Sequence, residues 1–244
     1  MIFNKDSHIK ILAEAGIILL NKPLEWTSFD AVNKLKYRIS KKLGLKTRKF
    51  KIGHAGTLDP LASGLLILCT GKATKQIQEI QDAEKTYTGT FYLGATTPSY
   101  DLETEIKENF SIDHITEEDC TQAAQSFLGE IDQVPPIYSA IWVDGKRSYE
   151  LARQGLDVAL KSRKVSIKAF EVNATKLPLI SFKVRCSKGT YIRTLANDFG
   201  KSLHNGAYLN SLIRTEIGEY KLEDAWNMEE LIAHLDNYSL DESI

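Results

Sequence analysis

The sequence predicts an α+β protein with a mixed, largely antiparallel sheet flanked by helices. Three observations carry this reading. Segments of β-type composition with period-two alternation recur at residues 85–94, 165–172 and 180–186. Between them lie segments with apolar residues at helical spacing: Phe29, Val32, Leu35, Ile39 and Leu43, and later Ile192, Leu195, Ala196, Phe199 and Leu203. The run Leu65-Leu66-Ile67-Leu68-Cys69 is short, wholly apolar and closed by Gly71, as a buried strand would be.

Taken in order, residues 16–20 form a short buried strand that ends at Asn21-Lys22-Pro23. Thr27 and Asp30 have the spacing of a capping box, and Gly44 stops the helix they open. Residues 71–80 read as a short helix. In the strand at 85–94, Tyr87, Phe91 and Leu93 share one face, and Gly89 leaves room between them. Thr116 caps a helix at 117–128, and Gly129 stops it. After the rigid Val134-Pro135-Pro136, strands at 138–143 and 146–148 join through Asp144-Gly145, a hairpin signal. A helical turn at 149–154 ends at Gly155. Thr190 is expected to cap the helix with Tyr191 and Arg193 in its first turn. An arginine there opposes the helix dipole, so either an acidic partner or an exposed arginine tolerated at small cost is expected. A strand at 208–214 and a helix at 228–235 capped by Asn227 complete the chain. One domain over residues 1–235 is expected, with a hairpin insertion at about 134–155 and a frayed tail at 236–244.

Composition narrows the class. Of 244 residues, 43% are hydrophobic and 26% charged, ordinary for a globular chain able to bury a core. No apolar run reaches the length of a membrane span, and the N-terminus lacks the core of a signal peptide. Cys69, Cys120 and Cys186 have neither zinc-site spacing nor an even count, so a reduced, cytoplasmic location is the default and no metal is expected. Net charge is −1. Yet Lys34, Lys36, Arg38, Lys41, Lys42, Lys46, Arg48, Lys49 and Lys51 follow one another with no acid between. That run suits a polyanion partner or a solvated helix face equally. Tyr138, Trp142, Lys146, Arg147, Tyr149 and Arg153 crowd the hairpin. Aromatics among cations suit unpaired bases and phosphates, or a surface hairpin with an apolar underside.

The loop before the apolar run is the candidate site. Gly53 and Gly56 bracket His54, and Asp59 stands between Leu58 and Pro60. A residue before proline is held extended, so Asp59 sits at the end of an irregular loop just ahead of the core. An ordinary Asp-Pro turn or a phosphate-binding glycine loop would also fit. A Walker loop would not, because no Gly-Lys-Ser/Thr follows.

The string Gly53-His54-Ala55-Gly56-Thr57-Leu58-Asp59-Pro60-Leu61-Ala62-Ser63-Gly64 resembles the signature loop of bacterial TruB-type tRNA pseudouridine synthases. Further blocks resemble that family in its order: Asn21-Lys22-Pro23, Lys85-Thr86-Tyr87, Pro136 to Ala140 with Tyr149 to Gly155, and Cys186 to Arg193. The resemblance implies a pseudouridine synthase-like catalytic domain with its cleft across the sheet. It implies isomerisation of the T-loop uridine of tRNA, position 55, without cofactor, guide RNA or obligatory protein partner. By resemblance Asp59 is the catalytic nucleophile and Arg193 its paired arginine. Tyr87 stacks on the target base and takes part in late proton transfer. His54 contacts the RNA where the base has left its stack. Tyr191 and Leu212 line the uridine pocket, and Lys22 has a more structural role. The chemistry suits these types: a carboxylate serves as nucleophile when ionised and poorly hydrated, and a guanidinium holds it so. Extruding the base costs a few kcal/mol, which stacking at about 1–3 kcal/mol per base offsets in part.

Two loops depart from the family pattern. Leu24-Glu25-Trp26 stands where a glycine usually follows Lys-Pro, and residues 97–103 lack a typical glycine near their end. Relatives often carry a C-terminal PUA-type domain, and too little chain follows Gly218 for another core, so RNA binding is expected to fall on the catalytic domain. The competing classes are a non-catalytic RNA-binding module, a guide-dependent synthase and a uracil-releasing glycosylase.

Overall fold

The computed structural model describes residues 1–143, 145–156 and 158–239. In chain order its elements are α1 (Ile11–Glu14), β1 (Ile17–Lys22), α2 (Ser28–Lys42), β2 (Ile52–His54), β3 (Ala62–Thr70), α3 (Ile77–Asp82), β4 (Lys85–Leu93), β5 (Ala95–Thr96) and β6 (Glu108–Asn109). They continue as α4 (Glu117–Ser126), β7 (Gly129–Gln133), β8 (Trp142–Val143), β9 (Lys146–Arg147), α5 (Ser148–Arg153), β10 (Arg163–Lys176) and β11 (Leu179–Cys186). Last come α6 (Ile192–Ser202), β12 (Ala207–Ile217), β13 (Tyr220–Lys221), β14 (Trp226–Asn227) and α7 (Met228–Asn237). The fold is α+β, with mixed and largely antiparallel strand pairing. The chain divides into two compact units, one of residues 1–85 with the segment from 213 on, the other of residues 86–212.

In the first unit β1 and β3 pair antiparallel, with Leu20 opposite Leu66, and β14 runs parallel along β1. β2 pairs antiparallel with β3, His54 opposite Leu68. Both faces of β1 and β3 are covered. Ile18, Leu20, Leu66 and Leu68 pack with Val32, Leu35 and Ile39 of α2 and with Leu231 of α7. On the reverse, Ile17, Leu19, Leu65 and Ile67 pack with Ala73, Ile80 and Ile217. Burial on both faces explains why these strands read as unbroken apolar runs. The Thr27–Asp30 capping box forms in both directions. Phe29, placed by its spacing on the apolar stripe, is instead 68% exposed, and Ser28 and Ala31 take the core side. At 100° per residue Phe29 lies well off the line through Val32, Leu35 and Ile39. Residues 71–80 form a 3-10 turn, Gly71–Gln76, before α3.

In the second unit β11 and β7 both pair antiparallel with β10. Phe91 of β4 stacks on Phe182 of β11 with ring centroids 4.2 Å apart, and Phe199 of α6 closes over them. Gly89 of β4 is required for a closer reason than ring space: a Cβ there would lie 2.1 Å from the Ser211 carbonyl oxygen. Thr116 and Asp119 form the second capping box. Thr190 does not cap α6; its hydroxyl donates to Ser187 O at 2.9 Å, and Tyr191 is the N-cap residue. Asn227 stands at the N-cap of α7 without a side-chain capping bond. The strand expected over 138–143 shortens to β8, paired Trp142 to Arg147 with β9. Of the hairpin's turn, Asp144 lies outside the described residues, as do residues 240–244 of the expected tail; Asp236 still belongs to α7. All three cysteines are buried and none forms a disulfide. Among the described residues no helix is long and apolar enough to cross a membrane.

Gly64 tests the packing under the candidate loop. Its φ is +103°, and a Cβ would lie 2.4 Å from the Arg214 carbonyl oxygen. Gly64→Ala is expected to lower unfolding free energy by more than about 2 kcal/mol, since strain and a backbone clash combine. An unchanged denaturant midpoint would contradict this close approach.

Candidate active site

Asp59 is half-buried on the loop between β2 and β3. Its neighbours are fixed from several sides. The Ser28 hydroxyl, buried at the start of α2, accepts from Leu58 N at 2.9 Å and donates to Leu58 O at 3.1 Å. Glu25 N donates to Pro60 O at 2.8 Å, and Ala62 N to Asp59 O at 3.1 Å. The residues on both sides of Asp59 are thus tied to the β1–α2 turn and the α2 N-terminus, 30 or more positions away in sequence.

Arg214 supports the loop from below. It is 1% exposed. Its Nε donates to Leu65 O at 2.8 Å, and its two terminal nitrogens donate to Gly56 O at 3.0 Å and Thr57 O at 3.4 Å. Gly56, with φ +104°, turns the chain there. A planar guanidinium with five N–H donors can gather several carbonyls that an ammonium could not.

Lys22 is fully buried at the end of β1, its ammonium donating to Pro23 O at 2.8 Å and Trp26 O at 2.6 Å. It braces the same turn that holds Pro60. Burial pushes its pKa down from the ordinary 10.5 to about 8; the Asp59 carboxylate works against that shift and Arg214 adds to it. His54 ends β2. Burial lowers its pKa, the Arg214 charge lowers it further, and contact with the Gly56 backbone opposes both, so the neutral imidazole is favoured.

In the second unit Arg193 lies in the first turn of α6, 5% exposed. One terminal nitrogen donates to Tyr138 O at 2.8 Å, and Nε lies 3.6 Å from Asp101 Oδ2. Asp101 is the acidic partner this unit supplies to the misplaced cation of the first turn. The 97–103 loop shapes its position: Thr97 and Ser99 hydroxyls donate to its carbonyl at 2.7 and 3.2 Å, and Glu103 N to its carboxylate at 2.9 Å. Buried Gln133 accepts from Tyr191 N at 2.7 Å and donates to Tyr191 O at 3.1 Å, holding the residue that opens α6. The Arg163 guanidinium lies 4.6 Å from the Tyr191 ring centroid. Tyr87 is buried in β4, and Leu212 is half-buried in β12.

Of the sequence-derived candidates, Asp59, His54 and Lys22 therefore fall in the first unit, and Tyr87, Tyr191, Arg193 and Leu212 in the second. Ser28, Arg214, Asp101 and Gln133 were missed. Only Ser28 and Arg214 carried a signal: a serine on the apolar side of a helix, and a lone cation after Leu212-Ile213 in a strand. Among the described residues no three His, Cys, Asp or Glu side chains are grouped as metal ligands would be.

Fold and loop together define the class, that of pseudouridine synthases. Among solved structures, a chain of "Crystal Structure of a Cbf5-Nop10-Gar1 Complex" aligns with TM-score 0.68 and 27% identity, over 94% of this chain and 57% of that one. A chain of "Structure of H/ACA RNP bound to a substrate RNA containing 2'-deoxyuridine" aligns with TM-score 0.65 and 26% identity, over 94% and 56%. This chain thus spans little more than half the length of those two. Residues 41–192 match the model of the TruB family pseudouridylate synthase (N terminal domain). Proteins named tRNA pseudouridine synthase B are similar at 58% identity in Flavobacterium johnsoniae, over 87% of this chain and 92% of that protein, and at 52% in Phocaeicola vulgatus, over 95% and 97%. The chain belongs to the TruB family of pseudouridine synthases.

The supports of the loop can be tested separately. Ser28→Ala leaves the buried Leu58 N–H and C=O without their partner and is expected to cost about 1–3 kcal/mol of stability, read by denaturant unfolding. Between pH 8 and 10.5 the unfolded chain keeps the Lys22 proton while the folded one releases it, so this group makes stability rise with pH. The stability of wild type relative to Lys22→Met is expected to climb across that window; a flat difference would contradict it.

Proposed function

We propose that this chain isomerises uridine to pseudouridine in tRNA, at position 55 of the T-loop. The observation that carries the reading is the Asp59 loop. It has the family's residues from Gly53 to Gly64, and its acidic residue is braced on one side by the buried Ser28–Leu58 hydrogen bonds and on the other by Glu25 N to Pro60 O. Pre-set geometry of this kind is what a nucleophile needs.

In this reading Asp59 is the catalytic carboxylate and Arg193 the guanidinium that pairs with it. Arg193 is already oriented by Tyr138 O and Asp101. Tyr87 stacks on the extruded base, neutral His54 contacts the RNA beside the vacated stack, and Tyr191 and Leu212 line the uridine pocket. Lys22 acts through the loop it braces. The uracil leaves C1′ of its ribose, turns, and rejoins through C5; the C5 proton is released to solvent and the ring nitrogen regains one. The steps balance without redox chemistry, so no cofactor is needed. The relatives that match over most of their length bear the name of a tRNA enzyme, which favours action on tRNA without a guide RNA or obligatory protein partner. One catalytic domain in the cytoplasm completes the proposal.

Tritium release from C5-labelled uridine in a tRNA transcript tests it. Wild type is expected to release tritium and Asp59→Asn to lose turnover by several orders of magnitude while still binding RNA. Free uracil among the products would point to a glycosylase, and no release at all to a binding module.

A further inference from the structure

The cationic run at 34–51 is left unused by the site. Within the first unit it forms one surface. On α2 the buried side is set by Ala31, Leu35 and Ile39. Lys34, Tyr37 and Lys41, spaced three and four apart, share the opposite face, and all are exposed. Beyond the helix, Leu45 N donates to Ser40 O at 2.8 Å, and the buried Ser40 hydroxyl bonds the Thr47 hydroxyl at 2.8 Å. Those bonds fold the 3-10 turn Thr47–Lys49 back beside the second half of α2, where Lys46, Arg48, Lys49 and Lys51 are exposed.

The nine cations do not act alike. Arg38 bonds the Asp236 carboxylate at 3.1 Å and Lys42 the Asp236 carbonyl at 2.9 Å, so these two are spent inside the unit, holding α7. Lys34, Lys36, Lys41, Lys46, Arg48, Lys49 and Lys51 have no carboxylate partner among the described residues. The face also begins at the candidate site: Ser28, the first residue of α2, holds Leu58, and residue 51 leads directly into β2 and His54.

We infer that this face, with Lys34, Lys41, Arg48 and Lys49 at its centre, binds the phosphate backbone of the substrate RNA beyond the reacting uridine. The inference rests on the function proposed above. Lysines are point charges, suited to phosphate contact and carrying no base readout. Protein interface cores are poor in lysine, which argues against an acidic protein as occupant. From Lys34 to Lys41 the helix extends roughly 10 Å, so the contacts reach past one nucleotide.

The test is the variant Lys34→Gln/Lys41→Gln/Arg48→Gln/Lys49→Gln, with Lys107→Gln/Lys168→Gln/Lys176→Gln/Lys183→Gln as an equal change of charge elsewhere. Binding of an unmodified tRNA transcript is measured from 50 to 200 mM salt. The first variant is expected to bind about tenfold or more weakly, with the slope of log K against log salt reduced by about 3, near 0.7–0.9 per lost contact. Its loss of activity is expected in KM rather than kcat. Affinity and slope equal to wild type, or an equal loss in the second variant, overturn the inference. Unchanged tRNA binding with weakened poly-glutamate binding also overturns it, in favour of an acidic protein. Because binding is read directly, a wild type that forms no pseudouridine would refute the proposed reaction without deciding whether this face binds RNA, which the salt titration decides by itself.

Discussion

Arg214 is the residue on which the Asp59 loop depends. It brings a cation into a nearly dry position, which is costly unless every donor finds a partner. Its donors meet carbonyls from two places at once, Gly56 and Thr57 in the loop and Leu65 in β3. A loop with two glycines would otherwise have wide conformational freedom. Tied through one rigid planar group to a strand buried on both faces, it has one shape. Gly64 is part of the same arrangement, since only a residue without Cβ lets the Arg214 backbone lie so close.

The same cation adds to the electrostatics of the loop. Burial is the main cause that lowers the pKa of both His54 and Lys22; Arg214 lowers each further, while the Asp59 carboxylate supports the charge on Lys22. The outcome is a neutral imidazole on the loop and a buried lysine in the field of the Asp59 carboxylate. Lys22 contributes geometry as much as charge, because its ammonium closes the turn whose Glu25 N–H holds Pro60.

The two departures from the family's pattern have structural answers. Glu25 adopts φ +66°, the left-handed conformation that a glycine would take without strain. The turn is kept, at a cost of about 1–2 kcal/mol that the hydrogen bond from Glu25 N to Pro60 O helps to offset. Tyr100 likewise has φ +63° in the 97–103 loop, directly before Asp101. In both places backbone strain lies next to a group that positions a candidate catalytic residue, as is common at functional sites.

Much was legible without coordinates. The capping box at Thr27, the cap at Thr116, the buried run of β3, the alternation of β10 and β11 and the identity of the Asp59 loop are local patterns, written in residues a few positions apart. The failures were local as well: Phe29 fits a stripe by spacing yet lies off its axis, and Thr190 has a capping residue's chemistry but a turn's hydrogen bond. What tertiary structure alone decided is which distant groups complete each local one. Ser28 reaches Leu58 across 30 positions, Gln133 reaches Tyr191 across 58, and Arg214 reaches Leu65 across 149. Hydrogen bonds over such separations impose no periodicity and no spacing on the sequence. The chain's letters therefore determined which residues could do chemistry, and only folding determined what holds them still.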